Sequence, residues 1–228
     1  MSYSFGKSIV TDGLVFYVDA GNDNSYPGTG TTWSDLIGGN DGTLEPVAGP
    51  TYDSANGGSI AFDGADDYVN CGNDTSVQIT GELTQEAWFK SSVVGQQAVI
   101  YKDDATNRCY KMQTHTSGSV WPIYFTNNSA FSSFYGTTNV CDGSWHHIVT
   151  TYTPSTLVAI YVDGSLDVST ASSVPAFLDN DSVDLELGRK GDGTLYLNGS
   201  ISQVKIYNRA LSSTEILQNY NALKNRFI

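Results

Sequence analysis

Up to about residue 210, short β-branched and aromatic runs alternate with polar turn dipeptides. The first runs are Leu14–Asp19, Ser59–Asp63, Tyr68–Cys71, Leu83–Lys90 and Ala98–Lys102. Arg108–Thr116, Trp121–Thr126, Trp145–Tyr152, Leu157–Asp163, Val183–Leu187 and Ile201–Tyr207 follow. Runs of this kind predict β-strands. Asn56-Gly57, Asp142-Gly143, Asp163-Gly164 and Asn198-Gly199 lie between them and supply the positive φ angles of tight turns. Pro122 lacks an amide donor, so its strand is expected at an edge or a bulge. Residues 20–58 break the rhythm, being rich in Gly, Asn and Thr. They predict a long, mostly irregular surface excursion pinned by Trp33, Leu36 and Leu44.

The tail changes period. Ser212-Ser213-Thr214-Glu215 is a capping box, in which the Ser hydroxyl and the Glu carboxylate satisfy free amides at a helix start. Ile216, Leu217, Tyr220 and Leu223 then form one apolar stripe, predicting a terminal helix over 212–223. Many strands and one helix predict an all-β fold. We expect a two-sheet antiparallel sandwich in a single domain over residues 1–228, with the first and last long strands paired. At 228 residues, roughly 70% of the unfolded surface can be buried, so no metal or disulfide staple is required.

Charge narrows the partners. With 24 acidic and 11 basic residues the net charge is −13, and no Lys/Arg cluster is present to track phosphates. Nucleic acid and anionic membrane are therefore set aside. No stretch approaches the ~20 apolar residues of a membrane-spanning helix. The opening MSYSFGKSIVTDGLVFYVDAG lacks an apolar run of signal-peptide length, so folding in a cytoplasm is expected unless an export signal has been removed. Cys71, Cys109 and Cys141 are odd in number and lack a CxxC spacing, which fits buried thiols.

Few residues carry the pattern of a reaction centre. Asp184-Leu185-Glu186 projects two carboxylates to one strand face, the minimum for glycoside hydrolysis. Val183, Leu185 and Leu187 supply the buried alternation, leaving those acids on a solvated face. His146 and His147 point to opposite faces of a strand and cannot share a metal ion. No G-x-S-x-G elbow is present. A non-catalytic protein is expected. Acidic turns at Asp63/Asp66/Asp67, Asp103-Asp104 and Asp179-Asn180-Asp181 offer hard oxygen ligands. Asp63, Asp66, Asp103 and Asp104 are accordingly candidate calcium ligands. Trp121, Tyr124, Phe125, Phe131, Phe134 and Tyr135 place six rings in fifteen residues that carry no charge. A sandwich buries one face of each sheet, so these rings read either as core and local packing or, where left on the outer face, as a binding surface. Trp121, Tyr124, Phe131, Phe134 and Tyr135 are the candidate ligand-binding residues, through stacking on sugars or packing on a protein.

Several segments carry a family likeness. Ser59-Ile60-Ala61-Phe62-Asp63-Gly64 with Asp66-Asp67-Tyr68-Val69 resembles the early strand pair of laminin-G-like, concanavalin-A-like jelly rolls. Leu83-Thr84-Gln85-Glu86-Ala87-Trp88-Phe89-Lys90 resembles their T-x-E-x-W-x-K strand. Asp142-Gly143-Ser144-Trp145-His146-His147-Ile148 followed by Ile160-Tyr161-Val162-Asp163-Gly164 is the most specific pair. Gly199 to Ser212 matches the closing strand and helix entry. The resemblance implies a jelly-roll sandwich and a calcium ion. Ser202 stands where related hydrolases place an ion-binding Asp, and the third carboxylate of the glucanase triplet is missing. The stretch from Gly13 to Trp33 is similar to a variant found in tailed-phage virion proteins, especially marine ones. It implies a virion protein made in a host cytoplasm, serving in capsid decoration, fibre or host-surface attachment. Its partners would be capsid or tail proteins or a cell-surface glycan, and it could be oligomeric. The alternative is a carbohydrate-active enzyme or its sugar-binding module.

Overall fold

The computed structural model describes residues 8–131 and 134–228. The first strands are β1 (Leu14–Asp19), β2 (Thr32–Trp33), β3 (Gly42–Glu45), β4 (Thr51–Asp53), β5 (Ser59–Asp63) and β6 (Tyr68–Asn70). Next come β7 (Leu83–Lys90), β8 (Ala98–Asp103), β9 (Arg108–Thr114), β10 (Val120–Thr126) and β11 (Ser129–Phe131). β12 (Trp145–Thr153), β13 (Leu157–Val162), β14 (Ser165–Thr170), β15 (Glu186–Leu187) and β16 (Asn198–Tyr207) complete the strands, and helix α1 spans Ser213–Leu223.

Every strand pairing is antiparallel, and the strands form two sheets of eight. One runs β14-β13-β12-β7-β16-β5-β4, with β1 also on β16. β5 takes the Asn198–Ile201 end of β16 and β1 its Gln203–Tyr207 end, so the first and last long strands do pair. The other sheet runs β11-β10-β9-β8-β15-β6-β3-β2. Alternating side chains from both sheets, among them Phe16, Trp33, Phe89, Tyr110, Tyr124 and Tyr152, fill one continuous core.

The outer faces of the two sheets differ. α1 lies across the first, where Ile216 and Leu211 pack on Val149, Ala159, Tyr161 and Tyr207. Ser212 caps the helix as its sequence predicts, with both halves of the capping box made. β7 and the centre of β16 are therefore buried on both faces. Beneath the helix lies a polar layer. Lys205 Nζ donates to Glu86 Oε1 at 2.8 Å and to Gln203, while Asn219 Nδ2 donates to Glu86 Oε2 at 2.7 Å. His147 Nε2 stands 3.1 Å from Glu86 Oε1. Burial works to raise the Glu86 pKa, but Lys205 and His147 together overcome it and hold the carboxyl at about 2. This first sheet is the covered sheet. The other, whose outer face carries no helix among the described residues, is the open sheet.

Two segments depart from the sequence reading. Residues 20–58 are more regular than expected: β2 and β3 extend the edge of the open sheet, and β4 edges the covered one. Trp33 and Leu44 are buried anchors, as their apolarity among polar neighbours predicts, and Leu36 is half-buried. Over 183–187 the strand shrinks to Glu186–Leu187, because Leu185 bonds outside the regular ladder with Cys71 and Gly72. Pro122 sits one strand in from the edge. The β11 ladder begins only at Tyr124, so no described strand faces Pro122 on that side.

Candidate functional site on the open sheet

Register places a row of long side chains across the outer face of the open sheet. Asn70, Glu186, Tyr101, Lys111 and Ile123 are successive cross-strand partners on β6, β15, β8, β9 and β10. Their chain neighbours Val69, Leu187, Ile100, Met112 and Tyr124 belong to the core, so this row faces outward. Gln113 and Trp121 form the next pair, and Tyr101 Oη hydrogen-bonds to Gln113. Along β10, Trp121, Ile123 and Phe125 share the outward face.

These three apolar side chains floor a cavity of about 210 Å³, closed by Asp103, Arg108, Lys111, Ala130 and Lys190. The segment after β15 walls one side, with Gly191 N donating to Asp103 O and Ala98 N to Leu195 O. Lys111 Nζ donates to Asp103 Oδ2 at 2.6 Å and lies over the Tyr101 and Phe125 rings. Burial is the main influence lowering the Lys111 pKa; Asp103 opposes it, and Lys190 and Arg108 add to it. The Arg108 guanidinium lies 5.4 Å from the centre of the Phe125 ring, and its Nε donates to Ala105 O. At the other end Trp121 meets His115 edge-on at 5.1 Å, and His115 stacks on exposed Tyr135 at 4.0 Å. Aromatic faces beside charged donors can stack on a sugar ring and bond its hydroxyls.

The structure divides the sequence-predicted residues. Trp121 and Tyr135 lie along this outer face, where the sequence reading wanted a binding surface. Tyr124 and Phe131 do not: they are cross-strand partners that turn inward into the core. Phe134 is half-buried and packs on the same core. The alternation of β10 explains the split, since Trp121 and Tyr124 are an odd number of residues apart. Phe125, Arg108, Lys111 and Lys190 were missed. Period-two spacing from Trp121 would have found Phe125, but the cations come from distant strands and loops.

The four candidate calcium ligands lie in two separate turns, as the sequence groups them. Asp103 is engaged by Lys111 and by the amide of Ala105, with Arg108 Nε at 4.0 Å. Asp104 accepts from the amides of Thr106 and Asn107, closing its own turn. Asp63 and Asp66 join Asp67 of the same acidic turn, with carboxylate oxygens within 4.8 Å of one another, a set that could hold a cation. Asp63 also caps the Ala65 amide, and Asp67 accepts from the Asp63 amide at 2.9 Å, so these acids shape the turn by themselves. Ser202 Oγ donates to Gly58 O, and the Arg226 guanidinium reaches Ser202 Oγ at 3.0 Å and both Asp19 oxygens at 2.9 Å. A guanidinium thus occupies the oxygen-rich position beside Ser202.

Asp184 and Glu186 do line one cavity, of about 240 Å³, together with Asp104. Glu186 is buried rather than solvated, and both its oxygens accept from Arg189, which stacks on Tyr68. His147 is buried, while His146 hydrogen-bonds with Asp163 and Asp142 and is thereby held above its ordinary pKa. All three cysteines are free and buried. Among the described residues no helix is long and apolar enough to cross a membrane.

Two face-packed antiparallel sheets, with a ring-floored groove on the open one, define a jelly-roll β-sandwich. Residues 63–217 match the Laminin_G_3 profile, the Concanavalin A-like lectin/glucanases superfamily, and the chain belongs to that family. No curated relative matches it in sequence. Among solved structures it is similar to the binding domain of Paraclostridial Mosquitocidal Protein 1, with a TM-score of 0.70 and 14% identity over 92% of this chain. It is similar to domain 4 of AbnA, a GH43 extracellular arabinanase from Geobacillus stearothermophilus, in complex with arabinotriose. There the TM-score is 0.67, at 15% identity, covering 91% of this chain and 98% of that one. Trypanosoma rangeli sialidase gives a TM-score of 0.63 at 15% identity over 96% of this chain. This chain spans 52% of the toxin chain and 34% of the sialidase. At such identities the likenesses establish the fold.

Proposed function

We propose that this domain is a non-catalytic binding module that seats a saccharide on the outer face of the open sheet. The observation that carries the reading is the Trp121–Ile123–Phe125 floor, flanked by charged donors on a face that no helix of the described residues covers. Of the similar structures, the toxin domain is a binding domain by description and domain 4 of AbnA is in complex with arabinotriose, which supports the class. The engagement of both Glu186 oxygens by Arg189 argues against proton transfer at Asp184 and Glu186, so binding is favoured over hydrolysis. Glycan-array screening of the folded domain, repeated with Trp121→Ala, tests the reading. Binding that the substitution weakens at least tenfold supports it; undiminished binding moves the site elsewhere. Reducing-sugar release that disappears in Glu186→Gln would overturn the non-catalytic assignment. The finer setting, a virion surface used in decoration or attachment, rests on the resemblance of residues 13–33. Antibody labelling of purified particles tests that setting.

A further inference from the structure

The cavity on the open sheet is distinguished by its charge as well as its rings. Three of the chain's 11 basic residues, Arg108, Lys111 and Lys190, line it, in a protein whose net charge is −13. Asp103 bonds Lys111 through Oδ2 and the Ala105 amide through Oδ1, with Arg108 Nε at 4.0 Å. Asp192 pairs with Lys190, and Asp181 accepts from the Arg108 amide at 2.7 Å, both from outside the cavity lining. The lining itself sets three cations against one carboxylate, Asp103. Arg108 uses Nε on the Ala105 carbonyl, and no described residue accepts from its two terminal nitrogens. A third of its side chain is exposed. A guanidinium with a free planar fork is the side chain best shaped for a carboxylate or sulfate. Lys190 and Arg108 both add to the lowering of the Lys111 pKa that burial begins, as neighbouring cations at one cavity do. At about 210 Å³ the cavity falls below the roughly 300 Å³ of a drug-sized pocket, which suits a single sugar residue.

We propose that this groove selects an anionic saccharide, with one sugar ring on the Trp121–Ile123–Phe125 floor and its carboxylate or sulfate against Arg108. Lys111 and Lys190 supply the surrounding positive field. The inference rests on the reading that the open sheet is the saccharide site, and it adds the chemical class of the ligand. A neutral glycan gains ring contacts and hydroxyl hydrogen bonds, whereas an acidic one adds a charge-assisted pair with Arg108.

The test is an array in which carboxylated and sulfated oligosaccharides each sit beside a neutral counterpart of the same backbone. Hits are followed by titration calorimetry at low and high salt. Wild-type protein is expected to bind an acidic member at least tenfold more tightly than its neutral counterpart, with the preference shrinking as salt rises. Arg108→Gln should erase the preference while retaining the wild-type circular dichroism and melting curve. Lys190→Gln, at the partly exposed rim, should reduce it several-fold and covers the case in which Arg108→Gln fails to fold. The carboxylate and sulfate arms identify which anion is preferred, and a preference in either supports the inference. Equal binding of acidic and neutral members, still dependent on Trp121, overturns the charge inference and leaves the saccharide site standing. Binding to no glycan, or binding indifferent to Trp121→Ala, overturns the site and the inference with it.

Discussion

Neighbouring rings on β10 do different work because successive side chains leave opposite faces of the sheet. Tyr124 is fully enclosed, tilted against Tyr152 at 5.0 Å, and burial drives its pKa up. Among the described residues its hydroxyl makes no hydrogen bond of ordinary geometry, although Thr150 interacts with it and opposes part of that rise. Tyr124→Ala should therefore cost about 3–5 kcal/mol of stability in urea denaturation, as a buried ring is lost and a cavity left. Tyr124→Phe removes a hydroxyl with at most a weak contact to Thr150 and is expected to stay within about 1 kcal/mol of wild type. Trp121 lies outside the core, so Trp121→Ala should alter stability less than Tyr124→Ala while removing the groove floor. Six rings in one segment were legible in the sequence. Which of them point outward depended on register, and a one-residue slip would reverse the assignment.

At the level of elements, α1 explains why polar residues of β7 and β16 are buried. Without a helix across it, that face would be solvated, and Glu86, Lys205 and Gln203 would read as ordinary exposed positions. The capping box makes the start of α1 legible from Ser212 and Glu215; nothing local shows where the helix docks. Lys205→Met would leave Glu86 buried without its cation, and a loss of about 3–5 kcal/mol is expected in denaturant melts. Acid should unfold the protein through the same elements. Glu86 and the capping Glu215, which Arg209 pairs, both have carboxyls lowered from 4.5 to about 2. A depressed folded-state pKa contributes stability that is fully present above about 4.5 and lost as pH falls toward 2. Melting temperatures should accordingly hold as pH falls to 5 and drop below about 4.5. In Glu215→Gln the drop should be shallower, though the partial exposure of Glu215 keeps its share small.

Across the whole molecule, the end of the described chain locks the covered sheet. Phe227 stacks on Trp88 at 4.1 Å, Tyr220 stacks on the same indole at 5.7 Å, and Arg226 joins Asp19 of β1 to Ser202 of β16. Trp88 is completely buried as a result. Phe227→Ala should lower stability by about 2 kcal/mol, the burial worth of a large apolar side chain. Tryptophan emission should also shift to longer wavelength as water reaches the indole; an unchanged spectrum would show that Tyr220 alone suffices as cover.

Sequence by itself determined the strand-rich grammar, the antiparallel sandwich class, the pairing of the first and last long strands and the capped terminal helix. Alternation, turn dipeptides and capping are local, and each is encoded within a few residues of where it acts. It also gave the acidic balance that makes a cationic groove distinctive. Tertiary structure alone decided that Trp121 faces out and Tyr124 in, and that residues 20–58 edge both sheets. It likewise brought Arg108 and Lys111 of β9, Asp103 of β8 and Lys190 of a later loop to one cavity. Those residues lie up to 87 positions apart in the chain. Their meeting follows from which strands are neighbours in the open sheet, a non-local choice that no run of adjacent residues specifies.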